Sequence, residues 1–265
     1  MGRRYTGPMD IFELDQGTSP LLISLPHDGS HVPDDIAARM HPQARRSSDT
    51  DWHVARLYAP LAQMLGASLL RPLASRYVVD LNRPADGHAL YPGKRETGLV
   101  STIGFDGEPL YREGEPDASE VQRRVDAYWR PYHAALQQEL ARLRALHGRV
   151  VLWEGHSIRS RVPMLFDGRL PDLNLGTADG ASCSPALQQQ LQGVLGQSGY
   201  TYAVNGRFKG GYITRHYGCP DEGVDAVQLE IAQCCYMDED SFAWDEDKAM
   251  VLRGVIAPLL RACLA

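Results

Sequence analysis

The sequence predicts an α/β fold around a largely parallel central sheet. Short apolar runs alternate with longer amphipathic stretches, the order in which strands feed crossover helices. Several runs are apolar almost throughout, without a polar alternation, as strands covered on both faces are.

Taken in order, Leu21-Leu22-Ile23-Ser24-Leu25 reads as a buried strand stopped by Pro26. Ala67-Ser68-Leu69-Leu70 and Tyr77-Val78-Val79-Asp80-Leu81 read as two more. Arg149 to Glu154 follows a glycine and ends at Gly155, while Asp225 to Ile231 is rich in β-formers and bounded upstream by Gly223. From Asp51 to Leu65, Val54, Leu57, Leu61 and Leu65 recur at three- and four-residue steps, one face of a helix. Glu120 to Leu146 is the longest helical stretch. Pro131 lies inside it, and its missing N–H and bulky ring predict a kink or break near Arg130. Pro185 to Leu195 and Asp247 to Leu264 are the remaining helices. The stretches Pro84–Pro116, Arg161–Cys183 and Asn205–Gly223 carry Gly, Pro and charged residues with little periodicity. Loops of that length in a compact domain are usually functional, so substrate-binding groups and lids are expected there. Leu90–Glu115 is expected to form part of a site wall, and residues 1–265 one domain.

Composition removes several function classes. At 43% hydrophobic and 23% charged the chain lies with folded globular proteins and away from disordered ones. A net charge of −6, a pI near 5.8 and no basic run beyond the pairs Arg3-Arg4 and Arg45-Arg46 exclude a nucleic-acid partner. No run approaches the roughly 20 apolar residues that cross a bilayer. Met1 to Tyr5 is followed by Asp10, Glu13 and Asp15 where a signal peptide would be apolar, so a cytoplasmic protein with no membrane partner is expected. Five cysteines without a C-x-x-C pair fit reduced thiols, with the adjacent Cys234-Cys235 read as packing residues.

Three polar side chains stand at element ends, where open α/β sheets place their sites: His27, Asp51 and His156. Two imidazoles and a carboxylate leaving one position open are the ligand set of catalytic zinc. Each histidine alone reads equally as a hydrogen-bonded structural residue. Glu230 lies among apolar neighbours along its strand, and desolvation there would raise its pKa toward that of a general base. A salt-bridged strand residue is the alternative. Asn82-Arg83 offers an amide and a planar guanidinium suited to gripping a carboxylate. Asn205–Gly218 places Arg207, Lys209, Arg215 and His216 among aromatics and glycines, as an anion-attracting lid or as a solvated basic loop.

These segments together resemble one family. Ser24-Leu25-Pro26-His27-Asp28-Gly29, Asp49-Thr50-Asp51-Trp52-His53, Ser75 through Pro84, Gly155 through Ser160, Pro171 through Thr177, Asn205 through Gly218 and Gln228 through Gln233 closely resemble the N-formylglutamate amidohydrolases, nearly end to end. That family is similar in turn to the zinc carboxypeptidase and aspartoacylase group. The resemblance implies a mixed, mostly parallel sheet between helix layers and a hydrolase using one divalent metal ion, zinc. It implies His27 and His156 as metal ligands, with a carboxylate from the Asp49/Asp51 segment as the third. The wider group has a glutamate three residues after its first histidine, and this chain has Ser30 there; Asp51 is preferred to Asp49. It also implies Asn82 and Arg83 on a substrate carboxylate, Arg76 beside the scissile carbonyl and Glu230 as the catalytic glutamate. Arg215 or Lys209 is assigned the second carboxylate. The implied reaction is hydrolysis of N-formyl-L-glutamate to formate and L-glutamate, closing a histidine-degradation route. A deacylase of another acidic N-acyl amino acid and a non-catalytic dicarboxylate binder are the rivals.

Overall fold

Among the residues that the computed structural model describes, the backbone of 4–6 and residues 11–89 and 96–265 in full, eight strands form one sheet. They are β1 (Arg4–Thr6), β2 (Phe12–Asp15), β3 (Leu21–Ser24), β4 (Ser68–Pro72), β5 (Val150–Ile158), β6 (Leu173–Gly176), β7 (Tyr202–Val204) and β8 (Val224–Ala232). Their order is β1-β2-β4-β3-β5-β8-β6-β7. The central strands β4, β3, β5 and β8 are parallel, β2 joins β4 and β6 joins β8 antiparallel, and β7 runs parallel to β6. This is the mixed, mostly parallel sheet the sequence predicts.

The helices are α1 (Asp34–Ala37), α2 (Val54–Leu65), α3 (Ala118–Arg124), α4 (Arg130–His147), α5 (Pro185–Gly196), α6 (Tyr212–Tyr217) and α7 (Glu246–Ala262). Successive strand residues point to opposite faces, and the core divides accordingly. Leu21, Ile23, Val151, Trp153, Val227, Leu229 and Ile231 pack with α2, α5 and α7. Leu22, Val150, Leu152 and Ala226 pack on the other face with Val125 and with Leu136, Leu140 and Leu143 of α4. Both layers are needed, because β3 and the first half of β5 carry apolar residues pointing to both faces. None of the described helices is long and apolar enough to cross a membrane.

Several elements differ from the sequence-based expectation. Tyr77–Leu81 is a buried series of turns and not a strand. Val79 packs into the α4-side core and Val78 into a smaller cluster with Ile36 and Met40, while the Asp80 carboxylate takes the Asn82 N–H and turns the chain back. The break at Pro131 is present as a π-turn, Val125–Trp129, which puts the proline in the first turn of α4 where its missing N–H is harmless. β5 runs on through His156 to Ile158, so this histidine lies within a strand and not after it. β2 has an alternating burial pattern that marks a half-covered strand near the sheet edge, whereas β6, β7 and α6 are too short to show periodicity. Residues 90–95 of the predicted Leu90–Glu115 wall lie outside the described residues.

His133 on α4 ties the helix layer to the turn at Leu81. Its ring stacks on Trp129 at 3.7 Å between centroids, Nε2–H donates to Leu81 O at 2.9 Å, and Nδ1 accepts from the Tyr217 hydroxyl at 2.9 Å. Burial pushes its pKa down to about 4 from the usual 6.5. The unfolded chain therefore binds the extra proton first. This histidine's contribution is complete above pH 6.5 and is lost as pH falls toward 4, about 3 kcal/mol in all. In His133→Gln the slope of unfolding free energy against pH between those limits should fall by roughly one proton, about 1.4 kcal/mol per pH unit. A His133 resonance titrating near 6.5 in the wild-type protein by NMR would contradict this.

Candidate functional site

The site follows from one property of the sheet. On the α4 face of β5 the side chains run Val150, Leu152, Glu154, His156, and on β8 they run Ala226, Gln228, Glu230: apolar first, polar toward the carboxyl end. The register pairs Glu154 with Gln228 and His156 with Glu230. Gly155 between the two polar residues points to the opposite face, where a Cβ would come within 2.7 Å of Leu25 Cδ2 and 2.9 Å of Tyr58 Cε2. His27 follows β3, and the Asp51 N–H donates to the His27 carbonyl at 3.0 Å. That bond brings the loop before α2 across the strand ends.

His27, Asp51 and His156 converge in the interior, at 4%, 1% and 2% exposure, with their donor atoms within 4.8 Å of one another. His156 Nδ1 lies 2.9 Å and His27 Nδ1 3.8 Å from Asp51 Oδ2. Tetrahedral zinc with bonds of about 2.1 Å would set its ligands about 3.4 Å apart, between those two values. The far nitrogens are both held by carboxylates: His27 Nε2 is 2.7 Å from Asp80 Oδ1, and His156 Nε2 is 2.8 Å from Glu154 Oε1. Carboxylates behind the imidazoles fix the tautomer that leaves Nδ1 facing inward, as metal-binding histidines require. The donor set, its burial and this backing fit a divalent cation. Asp49 is not part of the cluster; its carboxylate accepts the Phe105 N–H at 2.8 Å.

Around the cluster, Arg76 donates to Asp80 at 2.8 Å and lies 3.7 Å from Asp51 Oδ1. Burial alone would raise the Asp80 carboxyl, but His27 and Arg76 outweigh it and hold the group well below the usual range. Burial and the Arg76 charge lower His27. Glu230 is different. It is buried beside Asp51 with no hydrogen-bond donor directed at its carboxylate among the described residues, and burial pushes its pKa up to about 8 despite the opposing His156 charge.

The cluster opens into a cleft whose lining includes Arg76, Arg83, Arg207, Phe105, Gln228 and Glu230. Among the residues expected on substrate, Arg83 lines it, with Nε bonded to Thr97 O. Asn82 also lines it, but its Oδ1 is taken by the Ile213 N–H, and its Nδ2 only lies beside His156 Nε2, at 3.0 Å. Lys209 pairs with Asp179, and Arg215 Nε donates to Gly210 O; neither lines the cleft. Arg207 is the cation of that loop which does.

Sequence reasoning missed Glu154, which is fully buried and bridges two elements. Its Oε1 meets His156, while Oε2 accepts the Thr214 N–H at 3.0 Å and the Thr214 hydroxyl. The signal was available as a charged residue two positions before His156, on the same strand face. Ser157, Gln233 and Tyr236 were missed as well. The Tyr236 hydroxyl is 2.7 Å from both Trp52 O and Ser157 Oγ, and Gln233 Nε2 donates to Thr50 O, so these two residues brace the backbone beside Asp51 and His156.

A family model for N-formylglutamate amidohydrolase matches residues 19–237. The sequence is 52% identical over 259 residues to an N-formylglutamate deformylase of Pseudomonas aeruginosa, covering 97% of each chain. It is 49% identical over 258 residues to that of Pseudomonas putida, covering 96% of each. A crystal structure of N-formylglutamate amidohydrolase from Ralstonia eutropha JMP134 superposes with a TM-score of 0.80 at 29% identity, over 95% of this chain and 97% of that one.

The seal between α6 and the cluster leaves no room at Gly211. Its N–H donates to Gln228 Oε1 at 2.7 Å, and a Cβ there would stand 2.2 Å from Asn82 Nδ2. Asn82 is itself buried and bonded, so it cannot yield freely. Gly211→Ala should lower stability by about 1–3 kcal/mol, the usual range for overpacking; an unchanged thermal midpoint would refute the close contact.

Proposed function

The chain belongs to the N-formylglutamate amidohydrolase family, and from that membership we propose that it hydrolyses N-formyl-L-glutamate to formate and L-glutamate with one divalent ion, zinc. The observation that carries the reading is its end-to-end match with two N-formylglutamate deformylases. A buried two-histidine, one-carboxylate cluster at the floor of an arginine-lined cleft supports it chemically. The reading includes a cytoplasmic place at the end of histidine degradation.

His27 Nδ1, His156 Nδ1 and an Asp51 oxygen would hold the ion. A divalent ion there supplies Lewis acidity, polarising a carbonyl oxygen and making water a nucleophile near neutral pH. Glu230 takes the proton of the attacking water and delivers it to the departing amide nitrogen; burial, which favours the protonated carboxyl, suits it to accept that proton. Arg76, already anchored on Asp80, turns its remaining donors to the developing oxyanion. Arg83 and Arg207 take the two substrate carboxylates, with Phe105 covering the chain between them. Asp80 and Glu154 hold the two imidazoles in place throughout.

Purified protein should release formate from N-formyl-L-glutamate, lose that activity with a chelator and regain it with zinc. Release that persists after verified metal removal would sink the metal-dependent mechanism, and faster turnover of N-formylaspartate or N-acetylglutamate would move the substrate to another acidic N-acyl amino acid. Glu230→Gln should keep its metal and lose roughly a thousandfold in kcat. Turnover near wild type in that variant would take Glu230 out of the chemistry.

A further inference from the structure

A second group of potential metal ligands lies on the far side of β8. Asp172 precedes β6, and Cys234 and Cys235 lie in the single turn Gln233–Cys235 that follows β8. One carboxylate oxygen and the two sulfurs lie within 4.8 Å of one another. Asp172 is preset for this role. Its Oδ2 accepts both the Thr201 N–H and the Thr201 hydroxyl, at 3.0 and 2.7 Å, which turns Oδ1 toward the thiols. Cys235 Sγ stands 3.7 Å from Oδ1. Zinc bonds of about 2.3 Å to sulfur and 2.1 Å to oxygen give a tetrahedral S···O edge of about 3.6 Å.

A cation already sits among these donors. Arg169 donates through one nitrogen to Asp172 Oδ1 at 2.8 Å and to Cys234 Sγ at 3.5 Å. Its side chain is 46% exposed and, among the described residues, its guanidinium is anchored at that end alone, so it can swing out to water. The Arg169 guanidinium thus sits where a cation would meet Asp172 and Cys234 together. Cys234 is half-buried and Cys235 nearly fully buried. Solvent thus has one open side from which to complete a coordination shell.

We propose that Asp172, Cys234 and Cys235 form a binding site for a soft divalent cation such as zinc or cadmium, separate from the His27–Asp51–His156 cluster, with Arg169 as its competitor. Thiolates select soft ions, and the competitor makes the site weak and responsive to ion concentration. The inference stands on these side chains alone and is independent of the substrate reading.

The test is a cadmium titration of the full, reduced chain, read by the ultraviolet charge-transfer band that only a thiolate ligand produces. The histidine–aspartate cluster has no sulfur and stays silent. With the histidine–aspartate cluster first loaded with zinc, the band should saturate at one further equivalent, fall at least by half in Cys234→Ser, vanish when Cys235 is also replaced by Ser, and persist in Asp51→Asn. Asp172→Asn should weaken binding roughly tenfold. Arg169→Ala, an exposed change that leaves the fold intact, should tighten it by a similar factor, because it removes a positive charge that opposes the ion. Absence of the band overturns the proposal. So does a band indifferent to Arg169→Ala, which would place the sulfur ligand elsewhere.

Discussion

The His27 and His156 rings face each other with centroids 4.8 Å apart, and the three buried carboxylates around them make that approach tenable. Asp51 lies between the inner nitrogens; Asp80 and Glu154 hold the outer ones. Arg76 balances the set from one side through Asp80 and Asp51. Each of these groups would be unaffordable alone, since leaving one member of a buried pair uncompensated costs about 3–5 kcal/mol. Together they form a closed hydrogen-bonded array in which the ring orientations are dictated before any ligand arrives.

That array is also what shapes the cleft wall. Glu154 uses its second oxygen for the Thr214 N–H and hydroxyl, and Asn82 receives the Ile213 N–H, so the first turn of α6 is pinned to two residues that also touch His156. The loop entering α6 carries Arg207 along the cleft, with its Nε on Leu165 O. A change at Glu154 would therefore be felt at the imidazole and at the arginine together, through one carboxylate. On the opposite side Tyr236 and Gln233 do the same for the Asp51 loop. The polar ends of β3, β5 and β8 are thus gripped by elements from distant parts of the chain, which is why the site needs the whole sheet.

The central strands and long helices were legible because burial on both faces or on one stripe leaves a pattern in the sequence. His27, His156 and Glu230 stood out as polar groups toward the carboxyl ends of apolar strands, and Asp51 as the carboxylate that opens the helical stretch after His27. Their supports were harder to see. Asp80 lay in a run whose β-branched residues suggested a strand, although its carboxylate's demand for donors turns the chain there instead. Glu154 looked like the last residue of a strand that continues four residues further. The loop cations could not be ranked from composition, since Lys209 is drawn off by Asp179 on a short helical turn with no periodicity of its own. What the sequence conceals is partner choice between segments far apart in the chain.

Asp80 and Glu230 show how one site assigns two carboxylates opposite tasks. Both are buried, and burial pushes each upward. Asp80 meets His27, Arg76 and the Asn82 N–H, and these donors hold it charged, far below its ordinary value. Glu230 meets apolar strand neighbours and the like charge of Asp51, and remains near 8. A carboxylate saturated with donors cannot exchange a proton at neutral pH; it orients its neighbours. One without donors can hold or release a proton at little cost, which is the property a general base needs. The separation arises from the charges each group faces, cations around Asp80 and the Asp51 carboxylate beside Glu230, and not from depth, since both groups are almost fully buried. By that criterion the proton transfer proposed for the cleft falls to Glu230, while Asp80 stays charged and orients its neighbours.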